Sequence, residues 1–319
     1  MKKALALLVT VILSISIYAK EFSVFKYNNQ YGVIDNSRKV VILPEYAKIS
    51  TNQKSYYFCY SNDERIDIYN PKMELIYSIQ GNAELKKFSD YEYILKKRSD
   101  KKFYLLNLKT LELSEYQKSE KYIYEYAYTD DVALVMEIGT KNVSYSIADI
   151  NGNIILRDIE QADIVFSDGL LAVWMEDGKS GFVDKTGKFV IETKFYRNPA
   201  DEGPRKFPAL GYFFNEGLGI VQSEKGVWKI LDKKGNETLI PNSIHLYGGC
   251  FVNGLIVVKD KNGKFGYMNS KAEIVIPYVF DSASTFGGKY AMVVYDSKDA
   301  VIDKKGKIFL SEDIMLKQK

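Results

Sequence analysis

The stretch Lys179–Phe195, KSGFVDKTGKFVIETKF, decides the fold, because it reads as a complete β-hairpin. Two short apolar runs, Gly181–Asp184 and Lys188–Ile191, flank the turn Lys185-Thr-Gly187. An Asp that opens a turn accepts hydrogen bonds from backbone N–H groups two residues on, and Gly at the fourth position tolerates a positive φ. The stretch therefore predicts two antiparallel strands joined by a tight turn.

The same hairpin recurs along the chain, and an Asp or Asn opens every copy of the turn. The spacing ranges from 34 residues, between Asn269 and Asp303, to 48, between Asp184 and Asp232. The eight turn-opening residues are Asp35, Asn70, Asn107, Asp149, Asp184, Asp232, Asn269 and Asp303. A regular period of this length indicates a repeat protein, here with eight copies of one unit.

A second motif keeps the same period and adds a strand to each unit. Its clearest copies, Phe166–Val173, Phe214–Val221 and Phe251–Val258, each begin 18 residues before the turn-opening residue. Phe286–Val293 and the weaker Phe88–Leu95 fall at nearly the same distance. Each copy reads as a turn followed by a strand that leads into the hairpin. The unit is thus three strands, with a weaker fourth segment after the hairpin.

The unit resembles the WG repeat, also called the KWG repeat, most clearly in its seventh copy, GLIVVKDKNGKFGYMNSKAEIVIPYVFDSASTF (254–286). Three units carry the glycine of the W-G pair, at Gly32, Gly181 and Gly266, whereas Lys229 follows the one Trp at this position, Trp228. The Trp position otherwise holds Tyr31, Phe103, Tyr145, Phe265, Ile66, Ser180 and Asp299. The fixed register of its aromatics predicts packing in the core or between blades, rather than stacking on a carbohydrate.

Three or four short strands cannot bury both of their faces alone, so neighbouring units must stack. The period and the strand number are typical of propeller blades, and a closed ring protects the edges of its sheets. We predict that residues 20–319 form one all-β, β-propeller-like domain of seven or eight blades, each with three to four short antiparallel strands. The alternative is an open β-solenoid or a superhelical array of hairpins.

Residues 1–19 read as a signal peptide. Lys2 and Lys3 precede the apolar run Ala4–Ile17, and Tyr18-Ala19 resembles a cleavage site. We therefore expect an exported protein, in the periplasm, at the cell surface or outside the cell, without a stable membrane span after cleavage. An uncleaved membrane anchor is the alternative.

Composition argues against several classes of function. Removal of residues 1–19 takes away two lysines and lowers the formal charge of +3 further towards zero, which argues against a nucleic-acid partner. His245 is the only histidine, so a His-based triad or a multi-His metal site is excluded. The turn Asp residues supply one carboxylate each, whereas calcium needs several oxygens at one point. We therefore expect no metal, no cofactor and no catalytic residues.

The two cysteines, Cys59 and Cys250, lie far apart in the sequence. In an oxidising compartment they can pair only if the fold brings them together. We expect two separate thiols, with a disulfide as the alternative.

An insertion at Tyr196–Gly211 accounts for the longest interval, and loops on a rigid scaffold often carry recognition. It is either a tolerated surface insertion or a binding loop, and its candidate binding residues are Tyr196, Arg197, Arg205, Lys206 and Phe207.

These features favour an exported scaffold that binds a protein or a cell-envelope polymer rather than an enzyme. Carboxylates gathered in a central channel would instead indicate a propeller enzyme, such as a glycosidase or a lyase. A purely structural surface protein is the third reading, and it predicts self-association.

Overall fold

The structure is a computed structural model of the chain. It describes residues 22–52, 55–81, 83–87, 91–97, 102–116, 122–127, 132–137, 145–149, 152–162, 166–192, 214–224 and 226–318. These residues form 29 β-strands and one short α-helix. The prediction of an all-β fold is confirmed.

The hairpin of the fifth unit forms as its sequence predicts. Its strands pair in antiparallel fashion on either side of Asp184. The Oδ1 atom of Asp184 accepts hydrogen bonds from the backbone N–H groups of Thr186 (2.8 Å) and Lys188 (3.2 Å), and Gly187 has a φ of +80°. All eight turn-opening residues lie at or directly after the end of the first hairpin strand. We call the second hairpin strand the third strand, as in the sequence unit; it is the last strand of its unit even where an additional strand precedes the other three.

The first three units each form a sheet of their own. The first sheet contains β1 (Phe22–Tyr27), β2 (Gln30–Asp35) and β3 (Val40–Tyr46). The second contains β4 (Lys48–Thr51), β5 (Tyr57–Tyr60), β6 (Ile66–Tyr69) and β7 (Leu75–Ile79). The third contains β8 (Ala83–Lys87), β9 (Glu92–Lys97), β10 (Phe103–Asn107) and β11 (Leu113–Glu115).

The fourth and fifth units share one seven-stranded sheet. Its strands are β12 (Tyr122–Ala127), β13 (Val132–Glu137), β14 (Tyr145–Asp149), β15 (Ile154–Ala162), β16 (Leu171–Met175), β17 (Ser180–Val183) and β18 (Phe189–Glu192). The two units are joined because β15 runs unbroken for nine residues and pairs with β14 on one side and β16 on the other.

The last three units again form separate sheets. The sixth unit contains β19 (Leu218–Glu224), β20 (Val227–Asp232) and β21 (Glu237–Leu239). The seventh contains β22 (His245–Leu246), β23 (Leu255–Lys259), β24 (Phe265–Asn269) and β25 (Ile274–Phe280). The eighth contains β26 (Ser282–Ala283), β27 (Ala291–Tyr295), β28 (Lys298–Ile302) and β29 (Ile308–Leu310). The helix α1 (Ser311–Leu316) follows β29. Counted by sheets, the arrangement is a seven-bladed β-propeller.

The core lies between the blades, because successive side chains of a strand point to opposite faces of its sheet. In β23, Ile256 and Val258 pack against the sixth unit. Val257, between them in the sequence, packs against the eighth unit. Clusters of described residues join neighbouring units in this way from the fifth unit through the eighth and on from the first to the third, which is the stacking that the short strands require.

The first and last sheets pack against each other and join the two ends of the chain. Phe25 and Ile34 share a buried cluster with Tyr290, Val301 and the helix residue Ile314. We call this contact between the first and eighth units the seam. The packing agrees with the predicted closed ring and not with an open array.

At Gly32 and Gly266, the glycine of the W-G pair lies opposite a bulge in the third strand. Between β2 and β3 the pairing steps from Tyr31–Tyr46 to Val33–Ile42, so the third strand carries two extra residues opposite Gly32. A Cβ on Gly32 would lie only 2.6 Å from the carbonyl oxygen of Ile42. The unit with Trp228 has Lys229 instead of glycine, and β20 pairs with β21 there without a register shift.

Ala272 occupies the turn position that is glycine in other units, and it has a φ of +61°. A left-handed conformation costs an L-residue about 1–2 kcal/mol, partly offset by the greater entropy that glycine loses on folding. We expect Ala272→Gly to stabilise the protein by about 0.5–1 kcal/mol, measured by thermal unfolding. The control is Gly235→Ala, where φ is +85° and a Cβ would have open space; it should destabilise. A less stable Ala272→Gly variant would contradict this account of the turn.

Candidate binding surfaces

The candidate binding residues of the insertion, Tyr196, Arg197, Arg205, Lys206 and Phe207, lie outside the described residues, as does the predicted signal peptide. Both interpretations stay predictions.

The aromatics at the Trp position contribute to packing, as predicted. Phe265 is buried and meets Tyr247 edge to face, with ring centroids 4.7 Å apart. Trp228 packs against the cluster between the sixth and seventh units. Tyr145 packs against the cluster of the fourth and fifth units. The fixed register of these rings therefore serves the fold.

The turn-opening residues bind backbone, as their sequence predicts. For example, Asp232 accepts the N–H groups of Lys234 (2.8 Å) and Asn236 (2.9 Å). Throughout the described ranges, no three His, Cys, Asp or Glu side chains cluster in a way that could hold a metal ion.

The two cysteines keep separate thiols, as expected. Cys59 is fully buried. Burial, with smaller contributions from the nearby carboxylates of Asp67 and Glu45, raises the pKa of its thiol to about 12. The neutral thiol is therefore held as a small hydrophobe in the contact between the first two units.

A buried polar cluster forms around Asp67, between the first and second units. The carboxylate accepts a hydrogen bond from the Tyr46 hydroxyl (2.7 Å) and another from the Ser78 hydroxyl, and it lies 3.0 Å from Nε of Arg65. The Tyr46 hydroxyl is 3.1 Å from that of Tyr69. Burial, followed by the hydrogen bonds with Tyr69 and Asp67, raises the pKa of Tyr46.

Sequence reasoning missed this cluster, although a signal was present. Asp67 occupies the glycine position of the W-G pair in its unit. A charged residue at a position that packing reserves for glycine could have indicated that the second unit differs locally. The arrangement is a buried carboxylate that lies beside Arg65 and accepts hydrogen bonds from the hydroxyl groups of Tyr46 and Ser78.

The third strands carry most of the large exposed apolar side chains. Leu43 on β3 is 59% exposed, and Val275 and Val279 on β25 are 44% and 42% exposed. Three other third strands also carry an exposed apolar side chain: Leu75 on β7, Val190 on β18 and Leu239 on β21. Each of these strands is the last of its sheet. We call this set of edge strands the third-strand rim.

At three places the hairpin turn of one unit lies against the third strand of the preceding unit. A Cβ on Gly306, in the eighth turn, would lie 3.2 Å from Cγ2 of Ile276 on β25. A Cβ on Gly187 would likewise lie 2.7 Å from the carbonyl oxygen of Ile155 on β15. At the seam, the first turn, with Arg38, meets β29 in the same way. The strands β25, β29 and β3 therefore form one stretch of rim.

A pocket of about 440 Å³ opens at the seam, where the first turn faces β29 and the C-terminal helix. We call it the seam pocket. Its walls are Ser37, Arg38, Lys39, Ile308, Phe309, Asp313, Ile314, Lys317 and Gln318. Sequence reasoning did not predict this pocket, because its residues come from opposite ends of the chain.

A smaller cavity, of about 180 Å³, lies where the seventh, eighth, first and second units converge. It is lined largely by apolar and hydroxyl side chains, including Val24, Ile49, Val252 and Met292. No Asp, Glu, Lys or Arg lines it, so the carboxylate-lined channel that would indicate a propeller enzyme is not formed by this cavity.

Two solved structures are similar to this chain at low identity. BamB from Moraxella catarrhalis is 12% identical, with a TM-score of 0.43 over 82% of this chain and 86% of that one. Apo AztD from Citrobacter koseri is also 12% identical, with a TM-score of 0.48 over 90% of this chain and 92% of that one. Nothing about this chain is inferred from these two similarities. No curated protein matches the chain.

Within the described ranges, no helix has the length and apolar character needed to cross a membrane. A family model described as WG containing repeat matches residues 31–58 and 265–298. The first match begins at Tyr31-Gly32 and the second at Phe265-Gly266, the pairs that take the place of W-G. The chain thus contains the WG repeat, in the two regions where its sequence pattern is most regular.

Proposed function

We propose that the protein is an exported scaffold that binds a protein or a cell-envelope polymer, without catalysing a reaction. The observation that carries this proposal is the third-strand rim. Large exposed apolar side chains gathered on one part of a soluble protein mark an interaction surface. Here they lie on the third strands of the first three units and of the fifth to seventh units, so the repeat itself presents them.

Contact through side chains suits the rim better than pairing of backbones. Pro44 on β3 and Pro277 on β25 lack the N–H group that an added strand would use. Proline on an edge strand also hinders edge-to-edge aggregation. The rim can therefore offer Leu43, Val275 and Val279 to a partner while its strands resist pairing with other copies.

The described carboxylates give less support to the enzymatic alternative. Asp67 is paired with Arg65. Asp168 accepts the backbone N–H of Gly217 at 2.6 Å and so ties the fifth unit to the sixth. Each carboxylate thus has a structural role, and neither lines the pocket or the cavity described above.

The test is retention of envelope components on the immobilised chain without residues 1–19. The variant is Val275→Ser/Val279→Ser, and the control is Leu111→Ser/Leu316→Ser, which removes two exposed apolar side chains from outside the rim, one after the third turn and one in α1. We expect a component that binds the wild type and the control but binds the variant about tenfold more weakly, as loss of two buried apolar contacts implies.

Equal retention by all three proteins would contradict a role for β25 in binding. Light scattering provides the second readout. If the wild type forms oligomers that the Val275→Ser/Val279→Ser variant does not, the rim joins copies of this chain, and the structural-protein alternative replaces the scaffold.

A further inference from the structure

We propose that the seam pocket binds a phosphate group through Arg38, Lys39 and Lys317. This inference rests on the proposed function and deepens it, since it names a chemical group that the partner carries. The pocket lies on the same stretch of rim as β25, β29 and β3, and its volume of about 440 Å³ leaves ample room for a phosphate together with part of the molecule that bears it.

The charge of the pocket favours an anion. Three cationic side chains line it, against the single carboxylate of Asp313. Within the described part of the chain, none of the three cations lies within 4 Å of a carboxylate oxygen in an ion pair. A concave wall with an excess of one charge concentrates ions of the opposite sign.

Arg38 is held in place by aromatic groups rather than by an acid. Its Nη1 donates a hydrogen bond to the Tyr290 hydroxyl at 2.9 Å, and its guanidinium carbon lies 4.1 Å from the centroid of the Phe309 ring. Tyr290 is itself fixed, because its hydroxyl donates to the carbonyl oxygen of Asn36 (3.2 Å) and its N–H to the Ser23 hydroxyl (3.2 Å). The guanidinium plane is therefore set before a ligand arrives.

A guanidinium has five N–H donors, and the hydrogen bonds among the described residues use one of those of Arg38. A planar, pre-oriented fork of donors matches the oxygens of phosphate. The other two cations add charge from either side: Lys39 from the first turn and Lys317 from the end of the helix.

The number of charges selects phosphate over a single carboxylate. The lining residues carry a formal charge of +2, from the three cations and Asp313. A phosphate monoester carries about −1.5 to −2 at neutral pH, which balances this charge, whereas one carboxylate balances half of it. The site also depends on ring closure, because Arg38 and Lys317 are brought together only at the seam.

The test is calorimetric titration of the chain without residues 1–19, first with inorganic phosphate and then with long-chain polyphosphate. We expect binding that weakens at least about tenfold in Arg38→Gln and in Lys317→Gln, because each loses a charge-assisted contact. Lys271→Gln removes one exposed lysine from the seventh turn and should bind like the wild type. Lys317 is exposed, so Lys317→Gln should fold normally. This variant therefore still tests the site if Arg38→Gln fails to fold.

Binding of both probes supports a site for a free or small-molecule phosphate. Binding of polyphosphate alone, with the same dependence on Arg38 and Lys317, supports a phosphate carried by a polymer. The inference is overturned if neither probe binds, if both variants bind normally, or if Lys271→Gln weakens binding equally.

The Val275→Ser/Val279→Ser variant separates this inference from the proposed function. It should keep its affinity for phosphate, since the seam pocket is unchanged. Failure of phosphate binding while rim-dependent retention persists removes the phosphate site alone. Phosphate binding without rim-dependent retention removes the role assigned to β25.

Discussion

The Gly32→Ala variant is expected to lose about 3 kcal/mol of unfolding free energy, at the upper end of what overpacking costs. The new Cβ would lie 2.6 Å from the carbonyl oxygen of Ile42, 2.8 Å from the backbone nitrogen of Pro44 and 2.8 Å from the Phe25 ring. Two of these atoms belong to the backbone of the bulge in β3, and they cannot move without breaking its pairing with β2. The midpoint of urea unfolding measures the loss.

One substitution and one natural residue serve as controls for Gly32→Ala. Gly287→Ala places a Cβ where no atom lies within 4 Å, so its stability should stay within about 0.5 kcal/mol of the wild type. Ala300 occupies the W-G glycine position in the eighth unit, where β28 pairs with β29 without a shift, which explains why a side chain fits there. If Gly32→Ala were as stable as Gly287→Ala, the bulge would not be the reason for the glycine.

The Asp67→Ala variant is expected to lose about 2–3 kcal/mol, the cost of removing a charged acceptor from a buried hydrogen bond. The substitution leaves the buried Tyr46 hydroxyl without this acceptor and Arg65 without its carboxylate. The Arg65 side chain is 33% exposed, so water replaces part of the interaction that it loses. Urea unfolding again measures the loss.

Asp63→Ala is the matched control, because it removes an exposed carboxylate from the same region of the second unit and should change stability by less than about 1 kcal/mol. The double variant Asp67→Ala/Arg65→Met should recover part of the loss, since it removes the orphaned charge. A double variant as unstable as the sum of its single variants would show that the two side chains act independently.

The repeat could be derived from the sequence because its signals are local. A turn that opens with Asp184 and ends with Gly187 depends on four consecutive residues, and an Asp or Asn opens the turn of every unit. Period and alternation then predict strands that must stack, and the stacking leads to blades. The sharing of one sheet by two units could not be derived from the sequence. It depends on whether the strand between them, here β15, continues without a break from one unit into the next.

The surfaces were harder to predict than the fold. The sequence drew attention to the insertion with Tyr196 and Arg205, which lies outside the described residues. The third-strand rim was not predicted, because a strand such as β25, with Ile274, Val275 and Ile276 in succession, has the same composition whether its side chains face water or a neighbouring blade.

The sequence by itself determined the unit, its turns and the positions of its glycines, since each follows from contacts within some 40 residues. Only the tertiary structure decided how the ends meet. Arg38 and Lys317 are far apart along the chain, and no local pattern links them. They share a pocket because stacking of the blades brings the first sheet against the last, and ring closure is a property of all units together.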